Sequence, residues 1–411
     1  MTLPTFEEST GTYRLIWEEE HLKIAVSRIR QHNDGRVVGE ITITTNAPGY
    51  NPLLHRAQFN FTSSRSRADL AKMMEKRYSE ADWDSILEQL SYYILDRVRR
   101  GEPVKEIRTT DDIKPPDYLL WPIIPLNQPT VIFGDGGVGK SYLALVFALC
   151  IELPWEDNPF GLVTKNEPTR TLLLDYETDE SEVAWRLKCL KQGMSLPDLS
   201  LNYRRCALPL ADDLEQIQGW VSSTGADFVI VDSIGAACGG DLNAAETAIR
   251  LFGALRQLKK TSLLISHTSK NQITKTKTIF GSAYFHNFAR SIWEMKKVQE
   301  MEESIVSIGL FHKKSNLSKL YHPIGFKMTF GENEVAVESE DVRTVAEFLE
   351  VLSNSARIEE LLKSGPMVLP EIAKELDLSK DVARATLNRM KTKGKSMKVG
   401  DKWGLVTKDY P

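Results

Sequence analysis

An α/β fold built on a mainly parallel sheet is predicted for this chain by three features of its sequence. The run Gly134-Asp135-Gly136-Gly137-Val138-Gly139-Lys140-Ser141 fits the G-x-x-x-x-G-K-[ST] phosphate-binding pattern at every position. Downstream of it, short apolar runs that end in polar or acidic residues alternate with helical periods, as in a parallel sheet covered on both faces. The patterning changes on either side, which predicts a small N-terminal α+β domain (1–100), a linker (101–118), a nucleotide-binding core (119–338) and a C-terminal domain (341–411).

Bulk composition limits the class. With 411 residues the chain exceeds one typical core, and 42% hydrophobic with 26% charged residues is ordinary for a globular protein. A net charge of -4 excludes a uniformly basic nucleic-acid coat but leaves local patches open. The four cysteines, Cys150, Cys189, Cys206 and Cys238, have no C-x-x-C spacing and are read as reduced thiols. No apolar run approaches the length of a membrane helix, and no signal-peptide pattern follows Met1. A soluble, cytoplasmic protein without membrane contact is the expectation.

In the N-terminal region, residues 13–17, 22–26, 41–44 and 58–61 are strand-like, and Asn33-Asp34-Gly35 reads as a hairpin turn. Helical periods follow over 66–77 and 83–100. Arg97, Arg99 and Arg100 either touch phosphate or simply complement the helix dipole. Nothing here has catalytic spacing; recruitment or oligomer contacts suit such a domain. The proline-bearing stretch 101–118 is the linker. Trp121-Pro122-Ile123-Ile124-Pro125 then leads into the core, either flanking the nucleotide or packing.

The phosphate loop has a strand-like run, Thr130-Val131-Ile132-Phe133, before it and an apolar helix from Tyr142 after it. Its glycines let backbone N–H groups converge on one point, where the helix N-terminus adds partial positive charge. Gly134, Asp135, Gly136, Gly137, Val138, Gly139, Lys140, Ser141 and Tyr142 are therefore the expected nucleotide contacts. Lys140 suits the β- and γ-phosphates, and Ser141 suits Mg²⁺. ATP and Mg²⁺ are the expected ligands.

Four further strand-like runs, 171–175, 201–204, 228–232 and 262–266, should present their carboxyl ends to the same crevice. Asp232 ends one of them and suits the Mg²⁺ water shell. Glu177 follows another and suits activation of the attacking water, with Asp175 as the rival carboxylate. His267 either senses the γ-phosphate or is structural. The loop holding Lys270, Lys275 and Lys277 lacks aromatics, so it is a backbone-directed contact for single-stranded DNA or a plain surface loop.

At the C-terminus, helices are predicted over 356–363, 369–376 and 380–392, the last capped by Ser379, before a hairpin over 395–405. This order resembles a winged helix-turn-helix. In such a fold the third helix enters the major groove, here exposing Lys380, Arg384 and Asn388, with Lys398 on a basic hairpin. Winged helices also serve as protein contacts, so both roles stay open.

Taken in order, GDGGVGKS, LLLDYETDE, DFVIVDS, LLISHTSK and GSAYFHNFARSIWEM resemble the motif series of RecA-like ATPases, and among them the RepA-like hexameric helicases of plasmids and mobile elements. The resemblance spans about residues 119–335, and the phosphate loop is its most specific part. It implies a RecA-like P-loop core, with Glu177 activating water, Asp232 as the Walker B aspartate and His267 as the γ-phosphate sensor. It also implies a cation acting across a subunit boundary, matched by Arg290, and a second one matched by Lys314, with Lys313 as a register alternative. A homo-oligomeric ring, hexameric in that subgroup, with DNA at its centre follows from the same resemblance. The leading expectation is thus a DNA-coupled ATPase, a replicative helicase of a phage, plasmid or integrated element. A non-motor recombination mediator or helicase loader that uses ATP as an assembly switch is the rival, and an ATP-sensing transcription regulator is a third reading.

Overall fold

The computed structural model of the chain describes residues 3–9, 12–32, 34–100, 104, 106–107, 115–268, 279, 281, 283–299, 303–349 and 352–406. The chain forms two compact units. One comprises Met1–Pro115 with Leu208–Ala226 and Arg256–Leu258, and the other holds the remainder.

In the first unit, strands Thr5–Ser9, Thr12–Trp17, Leu22–Gln31, Val37–Thr45 and Leu53–Asn60 form an antiparallel meander in chain order. Alternation drives it: along Val37–Thr45 every second residue is buried. Leu15, Trp17, Ile24, Ile41 and Ile43 meet Leu70, Met74, Ile86, Leu90 and Ile94 from helices Ser64–Glu75 and Trp83–Arg100 in one core. Ser63 caps the first of these helices by accepting from the Ser66 N–H at 3.1 Å. Of the three arginines closing the second helix, Arg97 forks onto Glu8 at 2.7 and 2.9 Å and Arg100 bonds Asp96 at 2.6 Å. Those two cations serve local acids. The helix Leu214–Thr224, which chain order places among the core helices, clusters with this unit instead. Its Glu215 accepts from the Thr12 hydroxyl at 2.7 Å, and Asp212 pairs with Arg30 at 2.7 Å.

The second unit is organised by a nine-stranded sheet. Six parallel strands come first, in the order Asn202–Arg205, Thr171–Asp175, Phe228–Asp232, Thr261–His267, Pro129–Gly134 and Ser291–Val298. Ile305–Ser315, Ile324–Phe330 and Val335–Glu340 extend it antiparallel. The central runs are apolar on both sides because helices cover both faces. Phe228–Asp232, for example, is buried throughout. The stretch 332–341 reads as acidic, yet Val335 and Val337 alternate inward and make it the edge strand.

The C-terminal segment has helices Asn354–Leu362, Leu369–Glu375 and Lys380–Thr392. A three-stranded antiparallel sheet, in the order Met367–Val368, Lys402–Leu405, Ser396–Val399, completes it. Ile358, Leu362, Ile372, Leu387, Met390 and Trp403 form its core. The four cysteines are buried thiols outside any disulfide among the described residues. Among the described residues, no helix is long and apolar enough to cross a membrane.

Candidate active site at the carboxyl ends of the parallel strands

The parallel register sets the site. His267 lies opposite Gly134, and Asp175 lies opposite Asp232, so the end of Thr261–His267, the phosphate loop and both acidic strand ends share one edge. Gly134 is required there by close approach, because a Cβ would lie 2.5 Å from the Met295 carbonyl oxygen on the neighbouring strand. Gly137 and Gly139 take left-handed φ values of +72° and +91°, which a side chain would resist. The loop therefore needs these glycines for backbone shape. Val138 is buried beneath it, while Asp135 and Gly136 are exposed.

Lys140 opens helix Lys140–Glu152, and its ammonium is held by the carbonyls of Gly134 at 3.0 Å and Asp135 at 2.8 Å. Burial lowers its pKa, opposed by the charges of Asp232, Glu177 and Asp135. Ser141, next along, faces the Asp232 carboxylate, whose pKa is raised by burial and lowered in part by this hydroxyl. Asp232 Oδ1 is buried with no hydrogen-bond partner. A buried carboxylate oxygen without a partner is costly, and beside a serine hydroxyl it fits a divalent cation. The donor set thus suits Mg²⁺ at Ser141 and Asp232. Tyr142, also expected at the nucleotide, turns its ring toward Phe330 and the Arg186 guanidinium, the latter 5.3 Å from the ring centroid.

The geometry separates the two rival acids. Asp175 is 2% exposed, and its carboxylate accepts four hydrogen bonds. Oδ1 takes the N–H groups of Glu177 (3.0 Å) and Thr178 (2.9 Å), while Oδ2 takes the hydroxyls of Thr178 (2.6 Å) and Tyr203 (3.1 Å). Burial raises the Asp175 pKa, but these bonds outweigh it and leave the group below its ordinary value. Asp175 has no lone pair to spare for a water and acts as the brace of the 175–178 turn. Glu177 is carried by that turn, exposed, with Oε1 accepting from the Ser233 hydroxyl and lying 3.3 Å from His267 Nε2. Glu177, His267 and Lys140 thus gather at one place. The Thr268 hydroxyl donates to Asp135 Oδ1, tying the end of Thr261–His267 to the phosphate loop.

The two candidate trans-acting cations lie elsewhere. The Arg290 backbone N–H donates to Pro129 O at 3.0 Å, at the amino end of the loop strand. From Pro129 to Gly134 an extended strand spans about 16 Å, which an arginine side chain cannot cover. Arg290 is exposed, with no side-chain hydrogen bond or ion pair among the described residues. Lys314 instead donates to the carbonyls of His286 (2.6 Å), Asn287 (2.9 Å) and Ala289 (2.9 Å), closing helix Ala283–Phe288. The register alternative, Lys313, pairs with the buried Glu294 at 2.7 Å. Lys314 and Lys313 are committed within their own chain. Arg290 is the uncommitted cation of the three.

The expected DNA-contact residues Lys270, Lys275 and Lys277 lie outside the described residues. Lys380, Arg384 and Asn388 are exposed along one face of Lys380–Thr392, with Arg384 near Asp381 at 3.4 Å. Lys398 sits 5.9 Å above the Trp403 ring on the hairpin. Sequence reasoning missed Ser233, although it directly follows Asp232, and Thr268. It also missed Arg186, whose position beside Asp232 and Tyr142 no local pattern signals.

Residues 96–272, less than half of the chain, match the family described as an AAA domain. No curated relative matches the chain. Among solved structures, a KaiC-like protein of the hyperthermophilic archaeon Pyrococcus horikoshii is similar at 14% identity. That match covers 57% of this chain and 99% of the other with a TM-score of 0.36. The AAA-domain match and the phosphate-loop geometry support a P-loop ATPase domain with a large, mostly parallel sheet.

Proposed function

We infer that the chain is a Mg²⁺-dependent ATPase whose turnover is coupled to DNA, acting as a RepA-like replicative helicase of a phage or mobile element. The observation that carries the ATPase reading is the convergence of Lys140, Ser141, Asp232, Glu177 and His267 on one strand edge. In this reading Lys140 leaves the loop carbonyls for the β- and γ-phosphates. Glu177 accepts the proton of the attacking water, and Ser233 and His267 hold its carboxylate in place. Ser141 and Asp232 would hold Mg²⁺, which when bound supplies charge neutralisation at the phosphates.

Hydrolysis needs positive charge on the developing γ-phosphoryl group. Arg290, about 16 Å from its own loop along the strand, suits the site of a neighbouring copy, which supports a homo-oligomeric ring. Coupling to DNA is supported by the exposed Lys380, Arg384 and Asn388 face, spaced for one groove. Strand displacement with ATP, run beside ATPase rates with and without single-stranded DNA, tests the proposal. DNA-stimulated hydrolysis without displacement would replace the helicase by an assembly switch, as in a loader or recombination mediator. Hydrolysis indifferent to DNA would remove the DNA coupling altogether.

A further inference from the structure

The C-terminal segment carries a groove lined by none of the nucleotide-site residues. Its volume is about 400 Å³, and it lies where the three-stranded sheet meets the end of helix Asn354–Leu362. Strand alternation builds its floor. Trp403 turns inward to the core shared with Ile358 and Leu387, so its neighbours Lys402 and Gly404 turn outward. In register, Met397 lies opposite Gly404 and Val399 opposite Lys402, which puts both apolar side chains on the outer face too. Met397 is 45% exposed and Val399 67% exposed, on a face that solvent would ordinarily make polar.

Gly404 makes the depression. It sits on the central strand, and its backbone has no left-handed φ that would demand glycine. A Cβ there would lie 3.5 Å from Pro366 Cγ, an ordinary contact, so the missing side chain leaves usable space. The surroundings are basic on balance. Residues 391–406 carry five lysines and one acid, Asp401. Helix acids answer two cations at the rim: Glu359 pairs with Lys395 at 3.4 Å, and Glu360 with Lys363 at 2.7 Å. Lys402, inside the groove, has no ion pair among the described residues. The lining itself holds two lysines and no acid.

An occupant must therefore bring apolar groups to Met397, Val399 and the space over Gly404, and a carboxylate to Lys402. The lining has no aromatic ring and no arginine, so it offers a nucleic-acid strand neither stacking nor a phosphate fork. Its rim is exposed, whereas a small-molecule pocket buries most of its ligand. We propose that this groove binds an acidic, apolar peptide segment of a partner protein, with Lys402 taking the carboxylate. The proposal is independent of the DNA reading. The outer face of the sheet is turned away from helix Lys380–Thr392, whose Leu387 and Met390 share the inner core with Trp403.

Fluorescence anisotropy on the full chain tests this with a short labelled peptide that alternates Asp and Leu. Two controls carry Lys for Asp or Ser for Leu. The wild type should bind the Asp–Leu peptide at least ~10-fold tighter than either control, the scale of one lost anchor. Lys402→Glu, a surface change, should shift the preference toward the Lys–Leu peptide. Gly404→Leu fills the depression and should weaken the Asp–Leu peptide at least ~10-fold, with duplex DNA binding unchanged. Equal binding of the three peptides, or Asp–Leu binding indifferent to both substitutions, would overturn the proposal. Loss of duplex binding in Gly404→Leu protein, without a peptide preference in the wild type, would overturn it in favour of DNA. Self-association of the wild type that Gly404→Leu abolishes in sedimentation, again without a peptide preference, would overturn it in favour of a second copy.

Discussion

Replacing Asp175 by Asn isolates a brace from a base. Only Oδ2 changes chemistry if the amide keeps its oxygen toward the Glu177 and Thr178 N–H groups. The new Nδ2 then faces two hydroxyls, Thr178 Oγ1 and Tyr203 Oη, that donate to the carboxylate in the wild type. Each such bond to a charged acceptor contributes about 1.5–3 kcal/mol. Hydroxyls can turn to accept from the amide, so part of this is recovered. A net loss of about 2–4 kcal/mol is expected, or roughly 5–15 °C in Tm for a unit of this size. Turnover should fall only as far as the turn loosens. Glu177→Gln should do the reverse, keeping Tm and nucleotide affinity but losing about 10²-fold or more in kcat. Calorimetry with steady-state ATPase kinetics on both variants provides the readout. Asp175→Asn protein with unchanged Tm and abolished turnover, beside an active Glu177→Gln protein, would refute the assignment of both residues.

Other outcomes follow from the same geometry. Ser233→Ala should lower kcat without changing nucleotide affinity, Ser233→Thr should restore it, and Ser233→Ala should cost nothing further in Glu177→Gln protein; additive losses in that double-mutant cycle would make Ser233 merely structural. Arg290→Ala protein should bind ATP but hydrolyse poorly, and mixing it with Glu177→Gln protein should recover part of the activity, measured across mixing ratios; no recovery despite co-assembly would count against a shared site. Lys380→Ala with Arg384→Ala should weaken duplex binding and flatten its salt dependence by about 0.9 for each phosphate no longer neutralised, while basal hydrolysis stays unchanged. Filter binding at several salt concentrations reads the slope, and an unaltered slope would assign the C-terminal segment to protein contacts.

The local parts of this protein are determined by its sequence. A phosphate loop is a short contiguous pattern, so Gly134 to Ser141, the strand before it and the helix after it could be read directly. The parallel strands were legible because burial on both faces leaves continuous apolar runs, each ending in a polar or acidic residue. Ser379 and the helix it caps were legible for the same local reason. What depends on distant partners was decided only by the fold. In sequence Asp175 remains a rival to the favoured Glu177 until Tyr203, from the adjacent strand, joins Thr178 in saturating Asp175. Lys314 and Arg290 are similar cations until the carbonyls of His286, Asn287 and Ala289 claim the lysine. The helix Leu214–Thr224 joined the first unit through Glu215, with Asp212 just before it, which periodicity cannot reveal. The rings of Trp121, Tyr321, His312 and Trp293, which meet one after another, come from positions some two hundred residues apart, and no window along the chain contains them. Covalent neighbours set the elements, whereas hydrogen bonds and ring packing across strands decided which side chains are engaged and which stay exposed.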